Sequence, residues 1–409
     1  MSAPLPLLTA SRLKDFRRCP RLHHYRYKLG IRPIESATEL RFGTLVHLGL
    51  QRWWEARLPE PARAEAAARI ESAEVRELVL AGDEIGAALA AVAGAAADPF
   101  EQARLEEMLR GYNLRWYDSD LVPIAVEVQF TAPLVNPITG KASVTYQLAG
   151  KLDVIARDSR GRTVIVEHKT SSEDITAGSK YWLRLRMDGQ ITQYFTGARA
   201  LGFEPAACFY DVLYKPKLEP LEATTPDKRE VTLPKYRACP ECKRRGAPPP
   251  PHQVSIECSV PGATIDCGQA AIFPLGDGNQ VDVPGVPGKV ISEPPRYKAF
   301  VRLADETPYE HRLRIIDAIA SEREKYFARG EVVRLEADER EHAGDTWALA
   351  RSMREAELAE RAPRNPDSCV LYNRACAFFD VCTGAADIND PSRFERLDNV
   401  HPELAGAAG

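Results

Sequence analysis

Residues 150–170 read G-K-L-D-V-I-A-R-D-S-R-G-R-T-V-I-V-E-H-K-T, a strand, a polar turn and a second strand. Asp153 stands on the first strand, and Glu167 and Lys169 stand on the second. Strand side chains alternate between faces, so Glu167 and Lys169 share a face with Ile165, and Val164, Val166 and His168 share the other. The turn Asp158-Ser159-Arg160-Gly161 has hairpin chemistry and folds Asp153 back towards Glu167. Two carboxylates on neighbouring strands offer hard oxygen donors to Mg²⁺, which takes one or two carboxylates together with substrate phosphate. A lysine beside them adds positive charge where a phosphodiester would sit. A surface hairpin would carry the same charges outward. The apolar run Val164-Ile165-Val166 directly before Glu167 instead marks an interior strand, and a charge at its end is costly unless a cation offsets it.

The flanking sequence carries the elements that must hold this hairpin. A strand is expected at 121–132, with Glu127 between valines, followed by strands at 143–157 and 163–169. Residues 181–201 read as a helix bearing Arg184, Arg186, Gln190 and Tyr194, and residues 208–214 as a further strand. Helices, strand, hairpin, helix and strand in that order suit an α/β core with a mixed sheet. Residues 9–30 open on a Ser/Thr cap signal and read as a basic amphipathic helix. There Phe16, Tyr25 and Tyr27 interleave with cations that include Arg17, Arg18 and Arg21, a mixture that suits a nucleic-acid backbone with exposed bases or a solvated cationic face. Residues 41–55 read as a second helix, entered through Gly43-Thr44 and carrying His47. Residues 57–118 are helical in composition, with 87–97 as a flexible connection between helices. Residues 215–295 are rich in Pro and Gly and read as an insert, and 306–361 return to a helical composition.

The chain has 409 residues, 44% of them hydrophobic and 27% charged, as in ordinary soluble globular proteins. A net charge of −4 excludes a globally basic nucleic-acid binder, so any DNA contact must use local patches. No stretch approaches the apolar length that spans a bilayer, and the N-terminus lacks a signal-peptide core. The expected location is therefore the cytoplasm, of a bacterial or phage-infected host cell, where disulfides are rare. The nine cysteines need another explanation. Cys208, in an apolar run, is expected to be a buried core thiol. Cys369, Cys376 and Cys382 lie close together and suggest either a metal centre short of one ligand, for which Cys19 in R-R-C-P is the candidate from the far end of the chain, or three unrelated thiols. Four thiolates suit an iron–sulfur cluster or zinc. Cys239 and Cys242 form half of a zinc knuckle, and Cys258 and Cys267 form an unorthodox second half; structural zinc and incidental thiols are both open readings.

In order along the chain, S-R-L-K-D-F-R-R-C-P, F-G-T-L-V-H, G-K-L-D-V-I, V-I-V-E-H-K-T and Q-I-T-Q-Y resemble the five successive signatures of RecB-like nucleases of the PD-(D/E)XK superfamily. The chain is most similar to the iron–sulfur subgroup, which includes CRISPR-associated DNA-end exonucleases, the AddB-type helicase-nuclease subunit and phage-borne single-domain exonucleases. The match runs from Ser11 to Thr196 and resumes from Cys369 to Cys382. It covers neither the insert nor most of the Ala-rich helices. The resemblance implies a restriction-endonuclease-like mixed-sheet core flanked by helices, with a helical insertion and a C-terminal iron–sulfur clamp. It orders the chain as N-terminal basic helices with the first cluster cysteine and the His motif (1–56), helical insertion (57–120), nuclease core (121–214), Pro/Gly-rich insert (215–295), and helical and iron–sulfur segment (296–409).

The same resemblance implies roles. Asp153, Glu167, His47 and the backbone carbonyl of His168 match the ligands of Mg²⁺ or Mn²⁺. Lys169 matches the lysine at the attacking water, and Gln190 and Tyr194 match the helix that braces the site. Cys19, Cys369, Cys376 and Cys382 match the ligands of a [4Fe–4S] cluster. Many relatives have two residues between the first two C-terminal cysteines; here six separate Cys369 from Cys376, while the five-residue spacing to Cys382 holds. The implied activity is a metal-dependent DNA exonuclease for recombination, repair or phage DNA processing. A spacer-processing nuclease of CRISPR adaptation and a non-catalytic DNA-binding scaffold subunit are the alternatives. Expected partners are DNA, single-stranded or as duplex ends, and a single-strand annealing or recombination protein, with no membrane contact. Arg17, Arg18, Arg21, Arg184 and Arg186 are the DNA-binding candidates.

Overall fold

Apolar runs buried on both faces set the centre of the sheet. In the strand Thr163–Ser171, Val164, Ile165 and Val166 are all fully buried, the pattern of an interior strand. The computed structural model describes residues 4–34, 38–223, 304–371 and 374–404, together with the backbone of five short strands between 230 and 291. Cys239, Cys242, Cys258 and Cys267 lie outside the described residues. The chain divides into two compact units, Met1–Lys217 with Ile315–Gly409, and Leu218–Arg314.

The first unit is built on a six-stranded mixed sheet of β1 (Leu7–Leu8), β2 (Val122–Val135), β3 (Ala142–Arg157), β4 (Thr163–Ser171), β5 (Pro205–Tyr214) and β6 (Phe327–Val332). The long β3 takes antiparallel β2 along one edge, and on the other it takes first parallel β1 and then antiparallel β4. Beyond β4 come parallel β5 and antiparallel β6. The β3–β4 turn forms as expected, with Gly161 at φ 77° and the Asp158 carboxylate accepting from the backbone of Arg160 and Arg162.

Five helices matter for the site: α1 (Ala10–Arg18), α2 (Thr38–Ala56), α3 (Pro99–Trp116), α4 (Gly189–Ala200) and α5 (Glu336–Leu358). Each of α1, α3 and α4 begins where a short polar side chain caps it. Thr9 accepts from the Arg12 N–H, Asp98 from Phe100 and Glu101, and Asp188 from Gln190. One sheet face is covered by α4 and the short helix Lys180–Leu185, through a core of Phe130, Leu152, Ile165, Ile191, Phe195 and Val212. Phe130 lies against Gly150 and Gly197, and a Cβ at either position would come within 2.6 Å of its ring. On the other face Trp54 of α2 and Tyr112 of α3 meet His168 of β4.

Several expectations need correction. Residues 9–30 are not one helix: α1 stops at Cys19, which is extended (φ −164°, ψ 117°), and Pro20 opens a short helix that runs into a π-helical turn, His24–Lys28. Phe16, Tyr25 and Tyr27 are buried in packing and do not face a nucleic acid. Residues 84–91 are a helix capped by Asp83, which takes up the first five residues of the 87–97 stretch expected to be flexible. The expected helix at 181–201 is two helices, broken where Asp188 caps the second. Residues 306–361 contain β6, the strand that completes the sheet edge beside β5.

In the second unit, Gln280–Val283, Val286–Ile291 and Glu230–Thr232 form a three-stranded sheet, and Gln253–Ser255 pairs with Thr264–Asp266. Buried Glu306 accepts from the Leu221 N–H and from Arg314. Among the described residues no helix is long and apolar enough to cross a membrane.

Candidate active site

The β3–β4 ladder ends in the pair Val154 and Val166. Extending that register by one step puts Asp153 opposite Glu167, beyond the last ladder pair. The His168 N–H donates to Asp153 Oδ2 at 2.8 Å. His47, on α2, brings Nδ1 to 3.7 Å from the same oxygen. Glu167 Oε1 accepts from Lys169 Nζ and, at 3.0 Å, from Gln190 Nε2. Gln190 also donates to the Tyr194 hydroxyl one turn along α4. Glu167 Oε2 has no partner although its side chain is only 1% exposed.

Glu127 belongs to the same group. Extending the β2–β3 register puts it opposite Asp153, and its φ of 55° is left-handed, a strained conformation for a residue other than glycine. Its carboxylate pairs with Lys151. The sequence placed it on a strand between valines without fixing a partner; the structure gives it Lys151.

The electrostatics follow from this crowding. Burial, reinforced by the charge of Asp153, pushes Glu167 up to about 8 and Glu127 up to about 7. Burial acts the same way on Asp153, but the hydrogen bond from His168 and the nearby His47 and Lys169 outweigh it and hold Asp153 well below the usual carboxylate range. Burial lowers His47 to about 4, against the pull of Asp153, so at neutral pH its imidazole is uncharged and has a lone pair to offer. Burial opposes the charge on Lys169, yet Glu167 raises it above an ordinary lysine. Within that pair Lys169 keeps its proton, and Glu167 is the group discouraged from ionising.

Among the described residues no three His, Cys, Asp or Glu side chains converge as a formed metal site. The donors nevertheless fit a hard divalent cation. All the contacts described for Asp153 fall on Oδ2, which leaves Oδ1 for a ligand. The orphaned Oε2 of Glu167 lacks the partner that a cation supplies.

A second feature joins the chain ends. Cys19, Cys369, Cys376 and Cys382 line a single cavity, walled by Leu22 and Phe378, and all four are free thiols. Hydrogen bonds hold its two sides together. Arg21 donates to the Ala362 carbonyl at 2.6 Å and Asn365 to the Arg18 carbonyl at 2.8 Å, and Ile31–Pro33 pairs with Phe394–Arg396. Of the basic candidates, Arg17, Arg184 and Arg186 are exposed. Arg18 lines the cysteine cavity, Arg21 is held as just described, and Arg184 is paired with Glu173 at 2.9 Å and stacked on Tyr181.

Sequence reasoning missed a buried group behind His168. Trp54 Nε1 donates to His168 Nε2 at 2.8 Å, Tyr112 donates to Asp211 Oδ2 at 2.7 Å, and Arg329 donates to the same oxygen at 2.7 Å. Two signals pointed there. Trp54 lies seven residues after His47, hence on the same helix face. Asp211 interrupts the apolar run C-F-Y-D-V-L, and a buried acid demands partners.

The model of the PD-(D/E)XK nuclease superfamily matches residues 7–383. The chain belongs to that superfamily, and its mixed sheet flanked by helices is consistent with the fold. Among solved structures it is similar to one described as the crystal structure of SSO0001, with 14% identity and a TM-score of 0.22, over 52% of this chain and 65% of that one. The chain therefore spans just under two thirds of that protein's length. No curated protein matches it.

Proposed function

We propose that the protein is a metal-dependent deoxyribonuclease that hydrolyses phosphodiester bonds at DNA ends. What supports this is the register that brings Asp153 opposite Glu167 just beyond the last ladder pair, with Lys169 and Gln190 gathered on Glu167. Asp153, Glu167, His47 and the His168 carbonyl are the ligands for Mg²⁺ or Mn²⁺, which when bound neutralises charge on the phosphoryl oxygens and helps form the nucleophile. Lys169 keeps its proton and sets positive charge beside the attacking water. Gln190, braced by Tyr194, fixes the Glu167 carboxylate so that Oε2 faces the ion. Neutral His47 adds a donor without adding charge. Exposed Arg17 and Arg186 contact the DNA backbone.

Cys19, Cys369, Cys376 and Cys382 hold a [4Fe–4S] cluster that staples the first and last segments of the fold. The shared cavity and the hydrogen bonds across it support this. The biological setting is recombination, repair or phage DNA processing, with a single-strand annealing or recombination protein as partner. The test is digestion of end-labelled single- and double-stranded DNA with Mg²⁺ and with Mn²⁺. Mononucleotides or short products should accumulate from the ends, and no degradation under any of these conditions refutes the proposal.

A further inference from the structure

His168 directly follows the metal carboxylate Glu167 in the chain, and its backbone alone was expected to matter. Its side chain is placed with equal care. The ring is 2% exposed and points away from Glu167, into the pocket formed by Trp54 and Tyr112. Nε2 receives the Trp54 indole N–H at 2.8 Å. Trp has a donor and no acceptor, so Nε2 cannot carry hydrogen: two N–H groups would then meet head to head. The Tyr112 hydroxyl, 3.4 Å from Nε2, has already committed its hydrogen to Asp211. The ring hydrogen is therefore on Nδ1, which lies 3.4 Å from Asp153 Oδ2. That oxygen also takes the His168 backbone N–H. The backbone N–H and the ring of one residue thus both approach one carboxylate oxygen, and Oδ1 has no described contact.

Resting on the reading of Asp153 as a metal ligand, we infer that the His168 imidazole is a positioning residue, locked by Trp54 as its Nδ1–H tautomer so that it orients Asp153 towards the cation. The lock and the metal donor His47 sit on one face of α2, seven residues apart, so a single helix sets both sides of the Asp153 carboxylate. Behind the ring, Asp211 and Arg329 tie β5 to β6 and keep the Tyr112 hydroxyl from competing for Nε2. Ligand-orienting partners of this kind typically change metal affinity by about 10–100-fold when removed.

The test uses the full chain and three variants. Trp54→Phe removes the indole donor together with part of a fully buried ring, so its unfolding temperature is read beside its metal affinity. His168→Asn keeps an N–H near the place of Nδ1, and His168→Gln moves the amide to the place of Nε2. In metal-free protein, side-chain ¹⁵N spectra, assigned by the signal lost in His168→Asn, should show His168 as the Nδ1–H tautomer, with a mixture in Trp54→Phe. Calorimetric titration with Mn²⁺ in the absence of DNA should give His168→Asn an affinity close to wild type. His168→Gln and Trp54→Phe should bind about 10-fold or more weakly, and the two His168 variants should unfold at similar temperatures. An Nε2–H ring in the wild type overturns the inference, as does Mn²⁺ binding in His168→Gln equal to that in His168→Asn. A wild-type protein that shows the expected tautomer but takes no Mn²⁺ overturns the nuclease reading, and the metal half of this inference with it.

Discussion

Glu167→Gln should abolish activity and, without metal, make the protein more stable. Glu167 is raised from 4.5 to about 8, chiefly by burial. A carboxyl whose folded pKa lies above its unfolded value costs nothing at low pH, where both states are protonated. The cost grows as pH rises past the unfolded value and levels off above the folded one. At about 1.4 kcal/mol per unit, the ceiling above pH ~8 is ~5 kcal/mol. The side chain is 1% exposed, so solvent screens little of this. That net rise already includes the opposing attraction of Lys169. Glutamine, like the protonated acid, carries no charge, so the variant gains up to ~5 kcal/mol at pH ~8.5, a difference that falls to ~1 kcal/mol or less near pH ~5. Glu127, shifted in the same direction, is present in both proteins and cancels. Denaturant unfolding in EDTA at the two pH values reads the difference, and added Mg²⁺ should stabilise the wild type more than the variant. A variant no more stable at pH ~8.5, or a difference independent of pH, would refute the claim that a buried, cation-starved carboxylate sits at this position.

Three further outcomes are expected. Asp153→Asn and Lys169→Met should each lower Mg²⁺-dependent DNA degradation by at least about a hundredfold, with little change in unfolding temperature; full activity in both removes the site. Cys376→Ser should bleach a broad visible absorption of the anaerobically purified protein and destabilise it, whereas a colourless wild type speaks against the cluster. Gly197→Ala places a Cβ 2.4 Å from the Phe130 ring and should cost about 1–3 kcal/mol of stability. Gly202→Ala, with nothing within 4 Å of its Cβ but φ at 87°, isolates the backbone strain alone in the same denaturant assay.

What could be read from the sequence was local. The period of two and the Asp158–Gly161 turn were enough to bring Asp153 and Glu167 together, because a hairpin register depends on residues close in the chain. The four signature cysteines at opposite ends of the chain do share a cavity, since motif order carried information that spacing alone did not. The failures are all cases where distant packing decided. Tyr25 and Tyr27 look like base-stacking residues among arginines, but Tyr25 packs on Phe378 and Tyr27 lies under Arg12 and Arg32. Strand β6 hides in a helical composition because its partner β5 precedes it by more than a hundred residues. His168 shows the boundary most clearly. Alternation predicted that its ring would leave the carboxylate face, which it does, and a side chain facing away from the ion would then be read as filler. Its partner Trp54 lies 114 residues earlier and Asp211 lies on the next strand, so only the fold shows that the ring turns its second nitrogen back to Asp153. The carboxylates are chosen by the hairpin, but the direction in which one of them points is set by α2. Substitutions on that helix that never touch DNA should therefore change metal affinity before they change stability.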